Sequence, residues 1–190
     1  MLEWLEHIDR DLFLAINGLH APLADEFFWL VSAGWIFTPL WLYVAFYIYK
    51  IKSLKFLLTG IICLVILIAL TDQSSTRIKK AVQRYRPTHN TEIGSKVHTV
   101  NDYRGGQFGF FSGHAANTFG VASFLFFMLA WLRPRYRYLL FLWPILVGYS
   151  RIYLGVHYPS DILFGFLDGL LFGYLAYQLF RFIYKRQSAE

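Results

Sequence analysis

The sequence predicts an all-α integral membrane protein. It reads as a helical bundle of about five transmembrane helices, or six, preceded by an N-terminal interfacial amphipathic helix. Three observations carry this reading. Of 190 residues, 56% are hydrophobic and only 16% are charged, where a soluble domain holds about 25% charged residues. Several apolar stretches have the length of a membrane span. The basic residues gather in alternate turns between those stretches. The length suits a single domain over residues 1–190. Cys63, the one cysteine, lies inside an apolar run, so neither a disulfide framework nor a thiolate metal site is expected. The acidic N-terminus lacks a basic segment followed by an apolar one, so no cleavable signal peptide is expected. The net charge of +6 is spread among separate turns, and no nucleic-acid partner is expected.

Residues 1–22 open the chain. Leu2, Leu5, Ile8, Leu12 and Ala15 recur there at helical spacing among acids, the pattern of a helix lying in the membrane interface. Residues 26–49, 54–70, 115–132 and 162–183 follow as apolar segments, each near the ~17–25 residues that cross a hydrocarbon core as a helix. A fifth stretch, 138–156, is long enough but holds Ser150 and Arg151 about two-thirds of the way along. The polar stretch 71–112 is expected to form the active-site loop, with the second helix running on through it and stopping before Pro87. Gly165, Gly169 and Gly173 fall on one face at a spacing of four, a seam that lets helices approach closely. The tryptophans suit interfacial belts or packing.

Orientation follows from the turns. Lys50, Lys52 and Lys55, then Arg133, Arg135 and Arg137, then Arg181, Lys185 and Arg186 all fall on one side of a five-helix topology, which the positive-inside rule makes cytoplasmic. The opposite face receives the N-terminus, the 71–112 loop and the turn around His157. That loop carries basic residues on the wrong side for the rule, and they invite a functional reading.

Three clusters gather on this second face. Lys79 and Arg86 are seven apart, two turns along one helical face. Ser112, Gly113 and His114 open the third helix, where free backbone N–H groups favour an anion. Ser150 and Arg151 precede His157 and Asp161. Arg151 lies below the membrane surface, and a charge there needs an anionic partner. Lys79, Arg86 and Arg151, with the Ser112 hydroxyl and the Gly113 and His114 amides, make a cage for a tetrahedral dianion. His157 reads as a nucleophile oriented by Asp161, and His114 as a general acid for the leaving group. The chemistry is phosphoryl transfer through a phosphohistidine, with the cations replacing a metal and no cofactor. Each residue taken alone has a plainer reading: a helix cap for Asp161, lipid anchoring for Lys79, snorkelling for Arg151, packing for His114. The joint pattern of complementary chemistry on one face favours the functional reading. Asp168, deep in the last helix, suits a packing hydrogen bond as well as a role in substrate entry.

These residues resemble the signature of the type 2 phosphatidic acid phosphatase (PAP2) superfamily, K-x6-RP, then PSGH, then SR-x5-H-x3-D. Lys79 and Arg86-Pro87 match the first part, Ser112, Gly113 and His114 the second, and Ser150, Arg151, His157 and Asp161 the third. Phe111 stands where the family usually has proline. The resemblance implies His157 as nucleophile, Asp161 as its partner, His114 as acid, and the remainder as phosphate ligands. It also implies an integral membrane lipid phosphatase whose partners are a membrane lipid substrate and the phosphate product. The expected setting is a bacterial inner membrane, with the active site on the periplasmic or extracytoplasmic face. Undecaprenyl diphosphate is the first substrate choice; lipid A and phosphatidylglycerol phosphate are the alternatives. His89, Lys96, His98 and Arg104 are candidates to grip a second phosphate, with solvated loop charge as the plainer reading. A non-catalytic lipid-binding relative would lack His114 or His157, and both are present. A channel is disfavoured because the polar residues cluster at one face and line no continuous path.

Overall fold

The computed structural model describes residues 2–187, and among these the regular structure is helical, with one isolated β-bridge between Tyr85 and Phe108. The eight α-helices are α1 (Leu2–Asn17), α2 (Pro22–Ala33), α3 (Thr38–Ile51), α4 (Leu54–Val82), α5 (Gly113–Met128), α6 (Pro134–Tyr138), α7 (Leu142–Tyr153) and α8 (Pro159–Gln187).

Local sequence explains their boundaries, and several differ from expectation. The apolar stretch 26–49 is two helices. Gly34 adopts the left-handed conformation that ends α2, at φ 77°, and Pro39 cannot extend a helix backwards from α3. The axes on either side of the break differ by 71°. The 138–156 stretch is also divided, into α6, a 3-10 turn at Leu139–Phe141 and a 12-residue α7. Ser53 caps α4 by accepting from the Phe56 amide at 3.2 Å. That helix runs on past the apolar run, as the sequence suggests, but stops at Val82, where Gln83 turns left-handed at φ 52°. Residues 71–82 are therefore helix, and only 83–112 form the loop.

By length and apolarity, α4 and α8 qualify as membrane spans, or three spans result if α2 and α3 count as one bent crossing. That is fewer than the five expected. The 115–132 stretch becomes a 16-residue α5 and the 138–156 stretch a 12-residue α7, both short for a straight crossing at 1.5 Å per residue.

The bundle is built around α5, which packs on α8, α4 and α7, with its most extensive contact on α8. The glycine seam makes that contact. A Cβ at Gly165, Gly169 or Gly173 would sit 2.6, 2.4 or 2.6 Å from the backbone oxygens of Ser112, Ala116 and Gly120. The buried core below the site includes Phe56, Cys63, Leu67, Phe124 and Phe180, whereas Leu58, Ile62, Val65, Leu167 and Leu171 point outward. Such outward-facing aliphatic residues are what a lipid-facing surface requires.

The basic turns meet at one end. Lys52 Nζ lies 4.5 Å from the Trp131 ring centroid, joining the α3–α4 and α5–α6 turns, and the Phe56 and Tyr184 rings are 5.0 Å apart, bringing in the end of α8. At the opposite end converge the C-termini of α4 and α7, the N-termini of α5 and α8, the 83–112 loop and α1. The outward face of α1 carries Leu5, Ile8 and Leu12. A second face buries Asp9, Phe13 and Asn17 against the bundle, with the Phe13 ring 5.5 Å from that of Tyr158.

Candidate active site

At this end a polar cavity of about 410 Å³ is lined by Lys79, Arg86, Gly113, His114, Arg151 and His157, the residues singled out by their spacing, together with Asp72, Ser75, Thr76, Tyr103 and Asn117. Asp161 stands directly behind His157, fully buried.

Four helix ends supply the set. On α4, Asp72, Ser75, Thr76 and Lys79 share one face through helical spacing. Lys79 Nζ donates to Ser75 Oγ at 2.7 Å, and Ser75 Oγ donates to the Phe111 carbonyl at 3.2 Å. Gly113 makes room for this pair, since a Cβ there would lie 3.1 Å from Ser75 Oγ and 3.7 Å from Lys79 Nζ. Phe111, at the family's proline position, is buried, and the Phe110–Phe111 peptide is cis.

Arg86 reaches the cavity by a route other than the one its spacing suggested. Because α4 ends at Val82, Arg86 does not share a helical face with Lys79. Residues 84–86 run extended beside 107–109, with Arg86 N donating to Gln107 O at 3.0 Å and Gly109 N to Arg84 O at 2.9 Å. Extended backbone alternates its side chains, so Tyr85 is exposed while Arg84 and Arg86 turn inward. Arg86 Nε donates to Phe108 O at 3.2 Å.

Arg151, in the last turn of α7, is buried. Its guanidinium donates to Ser32 Oγ and, at 3.1 Å, to the Tyr103 hydroxyl, while its Nε has no hydrogen-bond partner. Burial works upward on the Tyr103 phenol, but the charge and hydrogen bond of Arg151 outweigh it and hold the phenol below its usual range. His157 lies in the link between α7 and α8. Its Nδ1 faces Asp161 Oδ2 at 3.4 Å, and the same oxygen accepts the Tyr158 amide at 3.0 Å. The plain reading of Asp161 as a helix cap therefore holds beside the functional one. Burial, and after it the charges of Arg86, Arg151 and Lys79, push the His157 imidazole well below its ordinary value, so the ring is neutral at neutral pH.

Ser112 differs from expectation in place. It is fully buried outside the cavity lining, and its Oγ caps α5 by accepting the Ala115 amide at 3.4 Å. Its own amide donates to the Asp161 carbonyl at 3.0 Å, tying α5 to α8. His89, Lys96, His98 and Arg104 do not line the cavity. His98 instead pairs with Asp25 at 2.9 Å and stacks on His20. Asp168 accepts from Ser74 Oγ at 2.9 and 3.0 Å, a hydrogen bond between α8 and α4. Sequence reasoning missed Ser32, Tyr103, Asp72, Ser75, Thr76 and Asn117. Helical spacing was the usable signal for those on α4 and α5, since Asp72, Ser75 and Thr76 precede Lys79 by seven, four and three residues and Asn117 follows His114 by three.

A helical bundle with apolar outer faces, three cations at one end and a neutral histidine backed by a buried carboxylate defines a membrane protein built to bind a phosphate-like anion. The chain belongs to the PAP2 superfamily, whose family model matches residues 60–185. It is 34% identical over 97% of its length to the lipid A 4'-phosphatase of Porphyromonas gingivalis, covering 78% of that protein. It is 35% identical over 93% of its length to the lipid A 4'-phosphatase of Bacteroides thetaiotaomicron, covering 79% of it. Among solved structures it resembles Aquifex aeolicus LpxE, with a TM-score of 0.63, 25% identity, and coverage of 88% of this chain and 93% of that one. The fold is also that of the Bacillus subtilis PAP2-type phosphatidylglycerolphosphate phosphatase, with a TM-score of 0.67 at 22% identity, over 92% of this chain and 85% of that one. Family and relatives together make this chain a membrane lipid phosphatase.

Proposed function

We propose that the chain removes a phosphate from lipid A through a phosphohistidine intermediate. The carrying observation is the match to two lipid A 4'-phosphatases over nearly the whole chain. Undecaprenyl diphosphate, the first choice from sequence, has no such support; the extra loop cations, which suited a diphosphate and a bis-phosphorylated glycolipid alike, do not line the cavity and favour neither.

In this mechanism Lys79, Arg86 and Arg151 hold the phosphate, assisted by the Gly113 and His114 amides at the start of α5. Ser112 supports the site by capping that helix. Asp161 accepts a hydrogen bond from the Nδ1–H of His157, which fixes the tautomer whose Nε2 lone pair attacks phosphorus. The P–O bond to the lipid breaks, and the leaving oxygen takes a proton from His114. Water then attacks the phosphohistidine, giving a proton back to His114, and the P–N bond breaks to release inorganic phosphate. Stabilisation of the transferring phosphoryl group comes from the three cations, so the reaction needs no metal.

The cell location belongs to the same proposal. The chain sits in the inner membrane as one domain, with the basic turns cytoplasmic and the cavity facing the periplasm. Five crossings follow if the bent α2–α3 pair, α4, α5, α6–α7 and α8 each traverse the bilayer.

Phosphate release by detergent-purified protein tests the substrate, with lipid A, undecaprenyl diphosphate, phosphatidylglycerol phosphate and phosphatidate compared. Release from lipid A is expected, abolished in His157→Ala, insensitive to EDTA and blocked by vanadate. Release from undecaprenyl diphosphate alone would overturn the substrate assignment, and activity lost to EDTA and restored by magnesium would overturn the mechanism.

A further inference from the structure

Arg84 stands two residues before Arg86 and does not line the cavity. Its guanidinium instead joins three parts of the chain. Nη1 donates to Asp161 Oδ1 at 3.0 Å and to Ser160 Oγ at 2.8 Å, Nη2 donates to Asp9 Oδ2 at 2.7 Å, and the group lies 4.1 Å from the Tyr158 ring centroid. Asp9, on the inner face of α1, also accepts from the Ser160 amide at 2.9 Å. Asp161 is fully buried, and its other oxygen is taken by the Tyr158 amide and His157. A buried carboxylate remains ionised only when a charge and hydrogen bonds replace its lost water. Among the described residues, Arg84 is the one arginine or lysine within salt-bridge distance of Asp161. Gly109 leaves the carboxylate room, since a Cβ there would lie 3.2 Å from Oδ2.

We propose that Asp9 and Arg84 form a buried relay that keeps Asp161 ionised and turned toward His157, so that α1 is part of the catalytic apparatus. Arg84 is a positioning residue. It touches no phosphate in the proposed mechanism and acts through Asp161, and the inference rests on His157 being the nucleophile.

Losing a positioning residue depresses kcat, whereas losing a phosphate ligand also raises KM. The pH profile separates the two further. The groups around Asp161 are Arg84 from the loop, itself paired with Asp9 of α1, Arg86 from the loop, His157 and Tyr158 from the α7–α8 link, and Lys79 from α4. Without Arg84 the carboxyl group takes up a proton more readily, and a protonated Asp161 no longer supports the Nδ1–H of His157. The acid limb of kcat therefore moves to higher pH.

The test compares wild type, R84A, R84K, D9N and H157A on lipid A and on phosphatidate in micelles. In R84A, kcat is expected to fall roughly 30-fold or more with KM within about threefold, and the acid limb to rise. R84K recovers part of the loss, and D9N falls between. The downfield Nδ1 proton of His157 in the NMR spectrum gives a readout that needs no substrate, and it moves upfield in R84A. Wild-type kcat in R84A, or a loss confined to KM with the acid limb and the Nδ1 proton unmoved, overturns the relay. If R84A does not fold, an unmoved limb and Nδ1 proton in both R84K and D9N overturn it equally. Activity surviving in H157A would remove the nucleophile assignment instead, so the two failures are distinct.

Discussion

His157, the proposed nucleophile, shows how a single side chain is prepared by its surroundings. An ordinary imidazole titrates near pH ~6.5. Burial, and then Arg86, Arg151 and Lys79, lower that value in the folded chain. Below about pH 6.5 the unfolded ring takes up a proton that the native ring refuses, so this residue's contribution to stability falls as pH drops through that window and is constant above it. Histidine NMR, with His157 assigned through His157→Gln, should show the ring still neutral at about pH 6, where an unperturbed imidazole is mostly protonated. A ring protonated at that pH in the phosphate-free protein would contradict the electrostatics of the site. Lys79 is prepared in a different way, by a hydrogen-bond chain through Ser75 to the Phe111 carbonyl. Phe111 thus takes part in the cage through its backbone, for which a proline ring is not needed.

Among the elements, the α5–α8 pair determines whether the site exists. Ser112 at the head of α5 and Asp161 at the head of α8 are joined by a backbone hydrogen bond of 3.0 Å, and the helices below it approach as closely as glycine permits. Gly169→Val places a side chain where a Cβ alone would lie 2.4 Å from the Ala116 oxygen. Overpacking of this kind costs about 1–3 kcal/mol or more. Thermal unfolding in detergent should show a lowered midpoint for Gly169→Val, and kcat should fall with it because the heads of α5 and α8 part. An unchanged midpoint would mean that the helices can separate freely. The helix α1 shows a second kind of element, one with two unlike faces: exposed Leu5, Ile8 and Leu12 turned outward, and buried Asp9, Phe13 and Asn17 turned to the bundle.

Across the whole molecule, charge is divided between two ends. The cations of the basic turns lie at one end, in short turns with aromatic neighbours such as Trp131. The cations of the cavity lie at the other, where the lining sets one carboxylate, Asp72, against Lys79, Arg86 and Arg151, and a dianion is the natural complement. The proposed orientation places these ends on opposite sides of the membrane. Cysteines introduced at Ser95, exposed in the loop, and at Arg135, exposed in the first turn of α6, should react with an impermeant maleimide from opposite sides, Ser95→Cys from the periplasmic one. Labelling of Arg135→Cys from the periplasm would reverse the topology.

Composition and short-range spacing alone sufficed for the helical membrane class, the glycine seam and the Lys79, Arg86, Gly113, His114, Arg151 and His157 part of the cavity. A lysine, two arginines and two histidines at those intervals are legible without coordinates, and so is Asp161. Other features were decided only in three dimensions. The bend at Gly34 and the end of α4 at Val82 are local backbone choices that an apolar run conceals, since hydrophobicity reports burial in lipid and not helix continuity. Ser112 had the right chemistry for the cage, yet the packing of α5 on α8 turned it into a cap. Arg84, Asp9, Ser32 and Tyr103 were not legible because each acts through a partner distant in sequence: Arg84 is 77 residues from Asp161 and Ser32 is 119 from Arg151. Spacing along one helix specifies which side chains share a face. Which faces then meet depends on how closely the helices pack, and here the glycines of α8 and the break at Gly34 decided it.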